Sequence, residues 1–127
     1  MKLPGVLVHV CGVLGIGLVF GALMALDLLP HSPALSGLSN LIEGLSGPTL
    51  LAFVLVIGIA PGIAEELLFR GYIQTRFSQR WGPGWGIFWT SLLFGLMHLD
   101  PVHGMFAFAL GLYLGYLTAR TGSIRPA

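Results

Sequence analysis

The chain has 127 residues, a length that suits one domain, and its composition is apolar: 9% of the residues are charged and 55% are hydrophobic. Soluble domains need many more charged side chains to cover their surface. The mean hydropathy of +0.88 therefore predicts a single membrane domain over residues 1–127, with lipid as its surroundings. The net charge of +1 comes from scattered cations, which excludes a basic patch and with it a nucleic-acid partner.

Long runs without charged residues divide the chain into predicted transmembrane helices, because a helix needs about 20 apolar residues to cross a bilayer. The runs predict four spans, over residues 3–26, 48–75, 84–99 and 102–119. The first two spans are joined by a loop over residues 27–47, with a short interfacial helix predicted at 38–45. The predicted fold class is an all-α, polytopic transmembrane helical bundle.

The first predicted span has an alternative interpretation as a cleaved signal peptide, because Lys2 precedes an apolar stretch. That stretch is longer than the apolar region of a signal peptide, and no Ala-x-Ala site precedes Asp27. The sequence therefore favours a retained helix.

Charges outside the spans predict the orientation. If the four spans alternate, one side receives the basic residues Lys2, Arg76, Arg80, Arg120 and Arg125. The other side receives Asp27, Glu43 and Asp100. Since cytoplasmic loops carry an excess of Lys and Arg, both termini are predicted to lie in the cytoplasm.

Three charged residues fall inside the second span, where they are unfavourable. Placing a carboxylate at membrane depth costs about 2.5–3.5 kcal/mol on insertion scales. Glu65, Glu66 and Arg70 therefore must face the interior of the bundle or a water-filled cavity.

Helix geometry gives the two acids different roles. Glu66 and Arg70 are four residues apart, so they share a helix face and can form an ion pair. Glu65 is turned about 100° from Glu66 and is left free to take a proton from water. This spacing predicts that Glu65 takes the proton from water, while Glu66 and Arg70 form the ion pair that supports the site. A structural ion pair that locks two helices is the alternative for Glu66 and Arg70.

A histidine ends the third span. His98 follows an apolar helix, and Phe94 precedes it by four residues on the same face. An intramembrane histidine can be a base, a metal ligand or a hydrogen-bonding strut, and the residues alone leave these roles open. His103 lies beyond Asp100 and Pro101, is predicted to be in a loop, and carries less weight as a site residue.

These residues resemble the motifs of a known family. Glu65, Glu66 and Arg70 resemble the first motif of the CPBP family (CaaX protease and bacteriocin-processing, or Abi-type, proteins), in which two glutamates and three residues precede an arginine. Phe94 and His98 resemble the second motif. Residues 111–116 and 120–124 resemble the run that leads into the third motif, so the resemblance extends from about residue 58 to the C-terminus.

The resemblance implies an intramembrane endopeptidase that cuts a peptide or protein near the membrane, with the bacterial plasma membrane as the expected location. It implies that Glu65 and His98 activate the hydrolytic water, while Glu66, Arg70 and Phe94 support them. Members are often labelled metalloproteases, which implies zinc with Glu65 and His98 as ligands. The same two groups acting as an acid–base pair are the alternative.

The third motif of the family is a histidine followed four residues later by asparagine, on a helix after a Thr-Gly-Ser stretch. The sequence ends at Ala127, before that helix. The resemblance therefore leads us to expect a bundle without the last core helix of the family. It also leads us to expect weak or absent activity, since one lost oxyanion donor lowers the rate by about 10²–10³.

Two other classes of function stay open at this point. The first is a non-catalytic immunity or scaffold protein with the same fold. The second is a small transporter with Glu65 and Glu66 as proton or cation sites. No internal repeat is visible, and transporters usually show duplicated halves, which disfavours the transporter.

Overall fold

The computed structural model describes residues 3–122, with side chains described from Cys11 onward. Its five helices are α1 (Leu3–Ala25), α2 (Pro33–Glu43), α3 (Gly47–Trp81), α4 (Pro83–Leu96) and α5 (Pro101–Thr121). Within residues 3–122 the secondary structure is helical with no strands, which confirms the all-α class. Lys2, Arg125 and the stretch 123–124, on which parts of the predicted orientation and third motif depend, lie outside the described residues.

The helix between the first two long helices begins earlier than the sequence analysis expects. α2 starts at Pro33 because Ser32 caps it, with the Ser32 hydroxyl oxygen accepting the backbone N–H of Leu35 at 3.2 Å. Proline at the first helical position loses no hydrogen bond there and has a suitable φ angle. The loop expected over residues 27–47 therefore contains an eleven-residue helix.

α3 is continuous from Gly47 to Trp81 and contains two segments with the wider π geometry. The first, Val54–Ile59, directly precedes the turn with Pro61. Since proline has no N–H to continue the α pattern, a local shift to i→i+5 bonds accommodates it. The second, Leu67–Ile73, contains Arg70 and ends where the Gln74 N–H donates to the Phe69 carbonyl. Such segments occur frequently at functional sites.

α3, α4 and α5 pack closely because glycines allow their backbones to approach. An added Cβ at Gly86 of α4 would lie 2.7 Å from the backbone nitrogen of Ser78 in α3. An added Cβ at Gly95 would lie 2.7 Å from the Gly104 carbonyl oxygen in α5. The tight turn at Gly82 (φ 88°) connects α3 to α4. Together with these close approaches, it packs the three helices against one another.

The core of the bundle lies at the level of the candidate site. Phe69 of α3, Phe94 of α4 and Ala107 of α5 form one buried cluster, in which the two aromatic rings meet edge to face at 5.0 Å between centroids. α1 joins from the side, where Phe20 contacts Phe106 at 5.2 Å. The charged residues of α3 therefore stand beside the best-packed part of the described chain.

Two helices among the described residues, α3 and α5, are long and apolar enough to cross a membrane by length and composition, and Cys11–Ala25 is a shorter apolar helix. α4 has 14 residues, and at about 1.5 Å per residue it rises about 21 Å. The division into four spans stays a prediction.

Candidate active site

Arg70 is the most deeply buried charged side chain of the site. It is 1% exposed, and its Nη1 lies 3.4 Å from Oε1 of Glu66, which is the ion pair that the four-residue spacing predicts. The guanidinium carbon also lies 4.7 Å from the centre of the Phe94 ring, a cation–π contact. Arg70 thus connects the acid of α3 to the aromatic residue of α4.

This ion pair is under-satisfied in hydrogen bonds. Within the described part of the chain, the second Glu66 oxygen and the three guanidinium nitrogens of Arg70 are buried without a hydrogen-bond partner. A buried pair contributes to stability only where its geometry is good and its remaining polar atoms are satisfied. Stability alone therefore does not account for the pair.

His98 lies in the turn after α4 rather than inside the helix. Its Nδ1 is 2.8 Å from the backbone carbonyl oxygen of Phe94. Since a carbonyl oxygen can only accept, Nδ1 carries the hydrogen and Nε2 keeps its lone pair. The Phe94 ring meets the imidazole edge to face at 5.1 Å. The main chain of α4 thus orients His98 with a free, basic nitrogen.

Glu65 is half-buried on α3. Among the residues that the structure describes, no hydrogen bond or ion pair joins its carboxylate to another side chain. Its charge interacts with those of Glu66, Arg70 and His103 without direct contact. Glu65 therefore lies within the field of the neighbouring ion pair but outside its direct contact.

The site contains a residue that the sequence analysis placed in a loop and gave less weight. His103 lies in the first turn of α5, and its ring centre is 4.4 Å from that of His98. The signal that could have located it is Asp100 followed by Pro101, which is typical of a helix start. Helical side chains point back toward the N-terminus, so a histidine in this turn points toward residue 98.

Asp100 fixes this turn from two sides. Its Oδ1 accepts the backbone N–H of His103 at 2.8 Å, and its Oδ2 accepts the hydroxyl of Ser32 at 2.8 Å. These two hydrogen bonds, the first one foremost, hold the pKa of Asp100 below its usual range. Between His98 and Asp100, Leu99 takes a left-handed conformation (φ 55°), which is unfavourable for a non-glycine residue.

A zinc site is only partly supported by these side chains. Catalytic zinc sites in proteins use three protein ligands and keep one position open for water. In the part of the chain that the structure describes, no three His, Cys, Asp or Glu side chains lie close enough together to hold one ion. Glu65 and His98 alone do not complete such a site.

The comparisons with known proteins identify a family but no individual relative. No curated protein and no solved structure shows a significant match to the chain. A family model described as "Type II CAAX prenyl endopeptidase Rce1-like" matches residues 47–127. That stretch includes α3, α4 and α5, and so contains the two acids, the arginine and both histidines described above. The chain is therefore a helical integral membrane protein of the type II CAAX prenyl endopeptidase Rce1-like family, a family of intramembrane proteases.

Proposed function

We propose that this chain hydrolyses a peptide bond at the membrane with water activated by Glu65 and His98. The observation that carries the proposal is the arrangement of groups around Arg70. Arg70 is ion-paired with Glu66 and covered by Phe94. Among the described residues Glu65 has no ion pair or hydrogen bond, and the Nδ1 contact of His98 leaves its Nε2 atom available. A site with one neutralised acid, one free acid and one oriented imidazole suits general acid–base catalysis.

In the proposed reaction, Glu65 accepts a proton from water while the Nε2 lone pair of His98 orients that water by accepting its second hydrogen. The water oxygen bonds to the peptide carbonyl carbon, and the π electrons of the carbonyl move to its oxygen. Glu65 then gives its proton to the amide nitrogen, the electron pair on the oxyanion re-forms the C=O bond, and the C–N bond breaks. The products are a carboxylic acid and an amine, and Glu65 returns to its ionised form.

Glu66, Arg70 and Phe94 are proposed as supporting residues. Glu66 balances the charge of Arg70, and Arg70 in turn contacts the Phe94 ring. The carbonyl of Phe94 fixes the tautomer of His98. The support thus runs from the acid of α3 to the imidazole of the turn through one continuous set of contacts.

The proposed substrate is a peptide or protein presented close to the membrane surface, as the family name implies for prenylated CAAX proteins. A cavity of about 520 Å³ lies between α4 and α5, beside the turn that carries His98. Apart from Asp100 at its edge, it is lined by glycine, proline and apolar side chains, among them Leu96, Met105 and Phe108. This cavity supports a substrate with an apolar group near the scissile bond.

We also propose that both termini face the cytoplasm of a bacterial cell. A cleft of about 690 Å³ is lined by Gln79 near the end of α3 and by Thr118 near the end of α5. The two helices therefore end on the same side, which carries the arginines Arg76, Arg80 and Arg120. Asp100 lies at the opposite end of α5. This distribution supports the positive-inside assignment.

The deciding experiment is the Glu65→Gln variant, assayed with fluorescent peptides in proteoliposomes. We expect cleavage to fall about 10³-fold, within the range that general acid–base groups contribute, while the variant still inserts and accumulates. Glu43→Gln, at an exposed acid of α2, is the matched control and should keep full activity. Cleavage that survives Glu65→Gln would end the assignment.

A biological effect that survives both Glu65→Gln and His98→Ala would instead indicate a non-catalytic immunity or scaffold protein.

Zinc is the alternative for the same site, where Glu65 and His98 would be two of its ligands. The test is the metal content of the purified chain together with its activity after dialysis against a chelator. Since Glu65 and His98 alone do not complete a zinc site, we expect activity to survive chelation. Activity that is lost and then restored by zinc alone would assign a metal to the site.

A further inference from the structure

The last two turns of α3 carry a pair of arginines without an acidic neighbour. Arg76 and Arg80 are both exposed, and since they are four residues apart, they lie on one helix face, where like charges repel each other. Among the residues that the structure describes, neither arginine forms an ion pair. The nearest acid along α3 is Glu66, which is paired with Arg70 and lies about 15 Å from Arg76 at the rise of an α-helix. The repulsion between the two arginines is therefore not compensated by an acid of α3.

Each of these two arginines lies over an exposed aromatic ring. The guanidinium carbon of Arg76 is 5.5 Å from the centre of the Tyr72 ring, and that of Arg80 is 5.5 Å from the Trp81 ring. The two aromatic residues are 59% and 48% exposed. Tyrosine and tryptophan are enriched where a membrane meets water, and cation–π contacts hold the two charges beside the rings. This combination of side chains is typical of the headgroup level of a bilayer.

The length of α3 gives the same depth. The span predicted over residues 48–75 rises about 42 Å at about 1.5 Å per residue. A bilayer with its headgroups is about 40–45 Å thick. Arg76 directly follows this span, Arg80 lies one turn further on, and the helix ends at Trp81. We therefore expect both guanidiniums at the depth of the lipid phosphates.

A cleft of about 420 Å³ opens between these side chains. It is lined by Arg76, Phe77, Gln79, Arg80 and Trp81. The two arginines offer forked N–H donors that match phosphate oxygens, and the amide of Gln79 adds two further donors. The rings of Phe77 and Trp81 lie 5.0 Å apart and give the same cleft an apolar side. Its lining thus combines donors for a phosphate with a surface for hydrocarbon.

We infer that this cleft binds the headgroup of an anionic phospholipid, with the phosphate between Arg76 and Arg80. The two positive charges select a headgroup with net negative charge, because a zwitterionic headgroup brings a cation that they repel. The aromatic side of the cleft favours a lipid over a soluble phosphate, since only the lipid brings hydrocarbon to cover it. The inference goes beyond the proposed function: the cleft is about 16 Å along α3 from Glu65, and binding there requires no cleavage.

The first test measures the affinity of the full chain for phosphatidylglycerol in detergent micelles, with bound lipid counted by native mass spectrometry. Because each cation near an anionic lipid surface contributes about fivefold in affinity, we expect Arg76→Gln and Arg80→Gln each to weaken binding about fivefold. The double variant should weaken it about 25-fold. Equal affinity of the double variant and the parent would overturn the inference.

Arg120→Gln is the matched control for this test. It removes the same charge near the end of α5, where the arginine donates to the Tyr116 hydroxyl at 2.7 Å and does not line the cleft. This variant should bind phosphatidylglycerol as the parent does. A loss as large as that of Arg76→Gln would show a general attraction of cations to anionic lipid and would overturn the assignment to this cleft.

The second test changes the ligand and keeps the parent chain. Phosphatidylglycerol should raise the melting temperature in detergent, and ionic strength of about 1 M should reduce that effect because it shortens the screening length to about 3 Å. Phosphatidylcholine with the same acyl chains should have little effect, and an equal effect would overturn the selection for an anionic headgroup. Glycerol 3-phosphate should also have little effect, and an effect equal to that of the lipid would assign the cleft to a soluble phosphate instead.

The melting temperature in lipid-free detergent separates binding from folding. Since both arginines are exposed, the double variant Arg76→Gln with Arg80→Gln should melt as the parent does when no lipid is added. A lower melting temperature under those conditions would show that the two arginines stabilise the helix itself, and it would overturn their role as lipid ligands.

Discussion

The two halves of α3 have different surroundings, although they form one continuous helix. From Gly47 to Glu66 none of the residues is buried. From Leu67 onward, Phe69, Arg70 and Gln74 are all buried against α4 and α5, and Gln74 donates to the Gly115 carbonyl at 2.8 Å. The acidic pair stands at the boundary between the halves.

This difference indicates which contacts hold the site. The C-terminal half of α3 depends on protein neighbours, so changes there act on the packing of the bundle. The side chains of the N-terminal half are not buried by other helices, and in a membrane protein such an apolar surface contacts lipid. Equivalent substitutions in the two halves should therefore have different effects.

The largest effect on stability is expected for Arg70→Met. Removing the arginine leaves Glu66 with an uncompensated charge beside the core, and breaking a buried pair in this way costs about 3–5 kcal/mol. Thermal or SDS denaturation in detergent micelles measures it. Arg76→Met, at an exposed arginine stacked on Tyr72, is the matched control and should change the free energy of unfolding by less than about 0.5 kcal/mol. Similar losses in the two variants would contradict the comparison.

The double variant Glu66→Met with Arg70→Met sharpens this result. Replacing both members of a buried ion pair by apolar residues is often neutral or stabilising. We therefore expect the double variant to recover most of the stability lost in Arg70→Met, while cleavage stays impaired because the contact between Arg70 and Phe94, whose carbonyl orients His98, is gone. Recovery of both stability and activity would show that the pair is dispensable to the site.

A smaller loss of stability is expected from a substitution at the contact between α4 and the C-terminal half of α3. In Gly86→Ala the new methyl group would lie 2.7 Å from the backbone nitrogen of Ser78, so the two helices must move apart. Overpacking of this kind costs about 1–3 kcal/mol. Thermal or SDS denaturation in detergent micelles measures this loss of stability. Unchanged stability would mean that the two helices are not packed as described.

The matched change in the N-terminal half should have the opposite sign. An added Cβ at Gly62 meets no atom within 4 Å, and alanine is more favourable than glycine inside a helix by about 0.5–1 kcal/mol. Gly62→Ala should therefore raise the free energy of unfolding by about that amount. A loss of stability would show that this face contacts something other than lipid.

The smallest effect is expected at the turn that carries His98, and it depends on pH. The pKa of Asp100 is held below its usual range in the folded chain, so its contribution to stability is present above the unfolded pKa of about 4. That contribution disappears as the pH falls through the lower folded value. Melting temperatures at pH 6 and at acid pH should therefore differ more in the parent than in Asp100→Asn. An equal dependence in both would remove Asp100 as the cause.

Part of this arrangement could be predicted from the sequence because it is local. The four-residue spacing of Glu66 and Arg70, and that of Phe94 and His98, each places two side chains on one helix face, and both contacts are present. The continuation of α3 past residue 75 and the π geometry around Arg70 depend on hydrogen bonds that no spacing rule specifies.

The remaining parts depend on distant contacts. The assignment of His103 to a loop was wrong because the Asp-Pro pair was interpreted only as a break, although it also starts α5. The position of α2 depends on Ser32, whose contact with Asp100 joins residues 68 positions apart. A single sequence gives no indication of such a pairing.

The Ser32–Asp100 hydrogen bond sets an order of assembly. α4 and α5 are consecutive and can pair as soon as both are made, since short loops close at low entropic cost. The bond to Ser32 closes a far longer stretch of chain, so it forms last and opens first. The position of Asp100, and with it the start of α5 that carries His103, should then be fixed only when α2 has docked, so the N-terminal third of the chain helps to complete the site.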